Sequence, residues 1–287
     1  MSIYKNIVAF PLLAGIAISI TAGSCIKKYE ASDYAPSKPF GGYSSSKEIA
    51  ANNLVAYWAF DGNLTDSAGG LTGTNVGTTF AAGKKGQALK VGGSNYYLFG
   101  SPGATLPNLK AFTVAFWMNA PQNKTYAYGI FSLNNPTDFW GSLDIYLDNG
   151  SSADTAQFRV HINNNNVGQF PGFKLGGAWD KWVHIAITYD SSSTTGTNFV
   201  VYANGNSVYS TLLKNGAANY GPLKFPGPTK MEIGTWQFQT VPSLTAAATA
   251  QSWAGSFNGS LDELRIYSKS LKAADVSALF KLEALGR

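Results

Sequence analysis

The sequence predicts an all-β body: a two-sheet antiparallel jelly-roll sandwich closed by a short C-terminal helix. Three observations carry this. From residue 53 on, short runs rich in Val, Ile, Phe, Tyr and Trp alternate with Gly, Asn, Asp, Ser and Pro, which is a strand-and-turn pattern. Most of these runs alternate apolar with polar and none is followed by a long helix, which favours antiparallel pairing over βαβ units. A dozen such runs spread over 53–287 suit two packed sheets.

In order, strands are predicted near 54–60 (LVAYWAF), 87–92, 95–99, 111–119 (AFTVAFWMN), 128–133, 142–148, 156–162, 181–189 (KWVHIAITY), 198–203, 206–210, 231–236 and 260–267 (SLDELRIY). Asn204-Gly205 joins two of them, and that pair suits a type I′ turn because both central residues need positive φ. After 270 the pattern turns helical. Ser270 is placed to cap, Ala273 and Ala274 favour helix, and Leu271, Val276, Leu279, Phe280 and Leu282 recur at a helical period.

Composition narrows the function. Charged residues are 13% of the 287, against a norm of about 25%. The 21 Lys and Arg give a net charge of +5 but are scattered, the densest runs being pairs such as Lys27-Lys28 and Lys84-Lys85. No basic stripe of the kind nucleic acid requires is present. A single cysteine excludes an intrachain disulfide and a cysteine zinc cluster.

That cysteine is informative. Lys5 precedes a 14-residue apolar run, 7–20, which is shorter than the roughly 20 residues of a membrane span. Thr21, Ala22, Gly23 and Ser24 follow, and then Cys25. Charged, apolar, small is the order of a secretory signal peptide. Ending on the only Cys, 1–24 resembles a lipoprotein signal of the Bacteroidetes type, with Ala22 where the box usually carries Leu. The resemblance implies a diacylglycerol on the Cys25 thiol and a chain held at the outer membrane through its lipid, surface or periplasmic face open. Residues 25–52, rich in Ser, Tyr, Lys, Pro and Gly, read as a flexible tether, and 53–287 as the folded domain.

Within that domain, LVAYWAFDGNLTDSAG (54–69), Gly86-Gln87-Ala88-Leu89, Phe112-Thr113-Val114-Ala115-Phe116-Trp117, Trp182-Val183-His184-Ile185-Ala186, the 198–206 hairpin and Gly259–Tyr267 fall in one order. Together they resemble the laminin-G-like, concanavalin A-like lectin/glucanase domains of bacterial surface proteins. The resemblance implies the sandwich far more firmly than a function, because this fold hosts many roles.

Candidate site residues follow from side-chain chemistry. Asp61, Asn63 and Asp262 are a candidate calcium set, since Ca²⁺ takes oxygen ligands and the resemblance pairs the first and last strands. Asp61-Gly62-Asn63 is equally an ordinary tight turn. Sugar rings stack their C–H faces on exposed aromatics while amides and carboxylates bind the hydroxyls. NNPTDFWG (134–141), INNNNVGQF (162–170) and GTWQFQ (234–239) each combine the two. The expected groove residues are therefore Trp140, Asp138, Trp236 and Asn165, with Tyr128 and Tyr126 as a further platform. Buried packing is the alternative use of each tryptophan. His184 stands either on a ligand-facing sheet or as a fold-signature residue with a satisfied hydrogen bond.

No Glu-x-Asp-x-Glu array of the jelly-roll glucanases occurs. Asp144 and Asp148 share a strand face, yet Asp148-Asn149-Gly150 reads as a turn. The expected function is a non-catalytic, lipid-anchored glycan-binding domain with no nucleic-acid partner. A hydrolase or lyase of the same fold and a protein-binding adhesin are the alternatives.

Overall fold

The computed structural model describes residues 40–150 and 152–287. Cys25, the signal segment 1–24 and the first part of the tether lie outside the described residues. In chain order the strands are β1 Leu54–Trp58, β2 Gly73–Val76, β3 Thr79–Ala82, β4 Gln87–Val91, β5 Tyr96–Phe99, β6 Phe112–Asn119, β7 Ala127–Leu133, β8 Leu143–Asp148, β9 Thr155–Asn164, β10 Val167–Gln169, β11 Gly172–Gly176, β12 Val183–Tyr189, β13 Phe199–Ala203, β14 Asn206–Thr211, β15 Lys214–Asn215, β16 Ala218–Asn219, β17 Met231–Ile233, β18 Ala254–Ser256 and β19 Gly259–Tyr267, followed by helix α1, Ala273–Ala284.

Two sheets form. One runs β14-β13-β12-β6-β19-β4-β3 with β1 also on β19; the other runs β10-β9-β8-β7-β17-β5-β2 with β11 on β9 and β18 on β7. All strand pairs within the two sheets are antiparallel except β18 with β7. Period-two alternation decides what faces what. On β6 and β12, Val114, Phe116, Met118, Val183, Ile185 and Ile187 enter the core between the sheets. From the second sheet, Phe158, Val160, Ile162, Ile145 and Leu147 meet them.

The opposite face of the first sheet carries Ala115, Ala186, Tyr202 and Tyr267, and α1 covers it with Val276, Leu279 and Leu282. We call this the helix-covered sheet. The N-cap falls two residues after the expected Ser270: Lys272 occupies that position and no side chain caps the helix. The outer face of the second sheet is covered instead by the long connection from β17 to β19, through Trp236, Phe238, Ala254 and Trp253, and by Phe139 and Trp140. We call this the loop-covered sheet.

The tether boundary at residue 53 is corrected for 40–52. Those residues belong to the folded body: Ile49 is fully buried and packs with α1, and the Ser46 hydroxyl accepts from Arg265. Asn204 and Gly205 both have positive φ, 48° and 76°, as the type I′ expectation requires. Strands β2, β3, β10, β11, β15, β16 and β18 are short and fall outside the runs predicted from the sequence. The predicted strand at 231–236 stops at Ile233, because Gly234 turns the chain at φ 90°.

Candidate functional site

The expected tryptophan platform is corrected by burial. Trp236 is 1% exposed, its indole N–H donates to the Ala127 carbonyl at 3.0 Å, and its ring lies 4.5 Å from Tyr146 and 5.3 Å from Phe238. Trp140 is half-buried and stacks on Tyr146 at 6.1 Å and 14°, with Phe170 5.3 Å away. These rings form a satellite core that seats the 234–258 connection on the loop-covered sheet. The amides around them are structural too. Gln237 donates to the carbonyls of Asp138 and Phe139 and accepts from the Asn135 N–H, so Asp138 serves the loop through its backbone. Asn134 accepts from Thr229 and Lys230 N–H groups. Asn165 is the exposed first residue of the β9–β10 hairpin turn, at φ 51° beside Asn166 at 65°. It lines none of the three grooves described below.

Tyr128 is placed differently. A cavity of about 470 Å³ opens where the β4–β5 turn, the start of β7 and the end of the 234–258 connection meet. Its walls are Tyr126, Tyr128, Ser94, Gln239, Ser256 and Asn258, and the rest is glycine and alanine. The two tyrosine rings lie side by side, 6.2 Å apart and tilted by 33°. Tyr126 is 41% exposed. The chain before it is fixed by Asn123, whose side chain accepts from the N–H groups of Thr125 and Tyr126 and donates to the Tyr126 carbonyl.

Tyr128 sits opposite Gly255 in the parallel β7–β18 pair. A Cβ at 255 would stand 3.2 Å from the Tyr128 ring, so any other side chain there would press on the ring. Burial raises the Tyr128 hydroxyl above its ordinary pKa, Tyr126 adds to this, and the Asn258 amide opposes it. Gln239 spends its N–H₂ on the carbonyls of Gln251 and Ala254; no described donor occupies its oxygen. The groove thus offers two aromatic faces, an amide acceptor, an amide at Asn258 and hydroxyls, with no charged side chain.

Two further grooves differ. One, about 510 Å³, is lined by Arg159, Lys174, Gln157, Tyr209 and Val208 at the edge shared by β11 and β14. The other, about 560 Å³, carries Lys47, Lys85, Arg265, Tyr57 and Asp61.

The candidate calcium residues each bond to backbone groups. Asp61 and Asp262 converge on the β3–β4 turn, but on its backbone donors: Asp61 accepts from Gln87 N–H at 2.8 Å and Asp262 from Lys85 N–H at 2.9 Å. Asn63 folds back on the Asp61 carbonyl and the Thr65 N–H. The nearby Asp66 accepts four backbone N–H bonds. Among the described residues no group of three or more His, Cys, Asp or Glu side chains is placed to hold a metal.

His184 also departs from expectation. It is fully buried beneath α1, and neither ring nitrogen has a hydrogen-bond partner among the described residues. Its ring contacts are Trp117 at 5.2 Å and Phe280 at 5.9 Å, and its Nε2 stands 3.7 Å from the Glu283 carboxylate, beyond hydrogen-bond reach. Burial first and Arg265 second push it down to about 3, so it is neutral.

The residue that sequence reasoning missed outright is Glu232. It lies in one row across four strands, Glu232–Ser132–Asp144–His161, with Ser132 donating to Asp144 at 2.6 Å. Glu232 is completely buried and burial raises it well above the carboxylate range. Asp144 is 1% exposed. A glycosidic bond can reach this acid pair only if the covering loops are displaced.

Comparison with known proteins agrees with the architecture. A laminin G family model, described as the concanavalin A-like lectin/glucanases superfamily, matches residues 91–277. The chain belongs to that family. No curated protein matches it. Among solved structures it is similar to domain 4 of AbnA, a GH43 extracellular arabinanase from Geobacillus stearothermophilus, in complex with arabinotriose. That match has 22% identity and a TM-score of 0.53, and covers 79% of this chain and 98% of that one. It is also similar to the binding domain of botulinum neurotoxin serotype G (16% identity, TM-score 0.57, 80% of this chain and 51% of that). A third is the binding domain of botulinum neurotoxin DC in complex with SialylT (13%, 0.55, 81% and 52%). The chain spans about half the length of the toxin domains. At these identities the likeness concerns the fold.

Proposed function

We propose that this chain is a glycan-binding domain without catalysis of its own, carried on a lipid-anchored envelope protein. The observation that carries the reading is the Tyr126–Tyr128 groove: two adjacent aromatic faces framed by amides and hydroxyls, which is the chemistry a sugar presents in reverse. The family supports it in kind, since the similar arabinanase domain was solved with arabinotriose and a similar toxin domain with SialylT. The anchor rests on the sequence order Lys5, apolar run, small residues, Cys25. Lipid on Cys25 would hold many copies in one membrane plane and turn weak single-site binding into avidity.

The test is a glycan array probed with the full chain and with the Tyr126→Ala/Tyr128→Ala double variant. Binding by the wild type that the double variant loses, with folding intact, supports the reading. Binding that survives the double change, or an array on which the wild type binds nothing, overturns it. Labelling with radioactive palmitate, lost in Cys25→Ser, tests the anchor separately.

A further inference from the structure

We infer that the Tyr126–Tyr128 groove takes an uncharged glycan strand, contacting two consecutive sugar units, and discriminates against acidic sugars. This rests on the reading that the groove binds sugar at all.

The protein puts its charge elsewhere than in this groove. The chain holds 21 basic and 16 acidic residues, and both other grooves are lined by cations, Arg159 and Lys174 in one and Lys47, Lys85 and Arg265 in the other. No charged residue lines the tyrosine groove. A uronate, sialate or sulfate placed there would give up water for amides, hydroxyls and ring faces, and a buried anion without a cationic partner is costly. The raised Tyr128 hydroxyl reports the same preference, since burial and Tyr126 both disfavour negative charge at that point.

The ring geometry sets the length of the contact. Centroids 6.2 Å apart with a 33° tilt give two separate faces in sequence, on the scale of neighbouring sugar residues, rather than one face for a single ring. The tilt suits a strand that turns between units. A cavity of about 470 Å³ lies within the range of small-ligand sites. Gly255 packs close to the Tyr128 ring, and a Cβ there would crowd it at 3.2 Å. With no ion pair in the contact, there is little for salt to screen.

The experiment measures affinities of the full chain for neutral arabinose, xylose, glucose and mannose trisaccharides and their monosaccharides. Trigalacturonate and sialyllactose serve as the acidic probes, and each measurement is made at low and high salt. The expected result is that a neutral trisaccharide binds at least about tenfold tighter than its monosaccharide and than either acidic probe, and that its affinity is independent of salt. Ser94→Lys, on the exposed turn, is expected to raise affinity for an acidic probe by about tenfold, an effect that salt removes. Acidic probes that bind as tightly as neutral ones and are lost in Tyr126→Ala overturn this inference and leave the glycan-binding reading standing. Neutral binding untouched by both Tyr126→Ala and Gly255→Val overturns the glycan-binding reading of the groove itself, as does a wild type that binds none of the probes.

Discussion

Arg265→Met tests how the helix is fastened to the sandwich. Arg265 is fully buried. Its Nε donates to Glu283 of α1 at 2.7 Å, and one terminal nitrogen donates to Glu263 of β19 at 2.7 Å and to Ser46 at 3.2 Å. The guanidinium lies 3.8 Å over the Tyr57 ring. Tyr57 and Trp117 complete the cluster by donating to Glu263 and Glu283. Methionine fills much of the volume but leaves buried Glu283 without its cation and Glu263 with Lys85 alone, at 3.5 Å. Removing one partner of a buried pair costs about 3–5 kcal/mol.

The cost depends on pH in a definite direction. Burial already raises Glu283, against the pull of Arg265, and losing Arg265 raises it further. A carboxyl whose folded pKa exceeds its unfolded value stabilises below the unfolded value and loses that stabilisation as pH rises through the folded one. The variant is therefore expected to lose about 3–5 kcal/mol near pH 8 and about half of that near pH 5. The assay is urea unfolding followed by tryptophan fluorescence, in which the larger loss moves the midpoint by about 1–2 M. A loss near pH 8 below about 1 kcal/mol, or equal losses at both pH values, would refute the reasoning.

The same sign applies to the wild type: burial pushes Asp262 up to about 7 and raises Glu232 and Glu283, so urea unfolding is expected to show greater stability near pH 5 than near pH 8. A flat profile would mean these acids are not kept neutral by the fold. Gly86→Ala places a Cβ against the Asp61 carboxylate at φ 60° and should destabilise by about 1–3 kcal/mol, read as a fall in melting temperature. EDTA is expected to leave the melting temperature unchanged, because Asp61 and Asp262 bond to backbone donors; a rise on adding calcium would put a cation at the β3–β4 turn.

The sandwich was legible because its long strands announce themselves twice, in β propensity and in alternation. Phe112–Asn119 and Val183–Tyr189 show both, and their two faces lead to two different partners, the core and α1. The site was only partly legible. Tyr128 was foreseen as a platform, whereas Trp140 and Trp236 look equally good as text and are spent on seating a loop. What separates them is which side of a long connection packs down, and that is decided by non-local contacts such as Trp236 on Tyr146. Glu232 was invisible because MEI is a three-residue strand with no alternation to betray which way its acid points. Asn258-Gly259, where the last strand begins, is the one local signal for the amide beside Tyr128.

The most direct test of the account is to titrate a bound glycan into isotope-labelled protein and follow side-chain resonances across the surface. The account predicts shifts confined to Tyr126, Tyr128, Gln239 and Asn258 and their neighbours. Shifts centred instead on Trp140 and Asn165, or on Arg159 and Lys174, would contradict it.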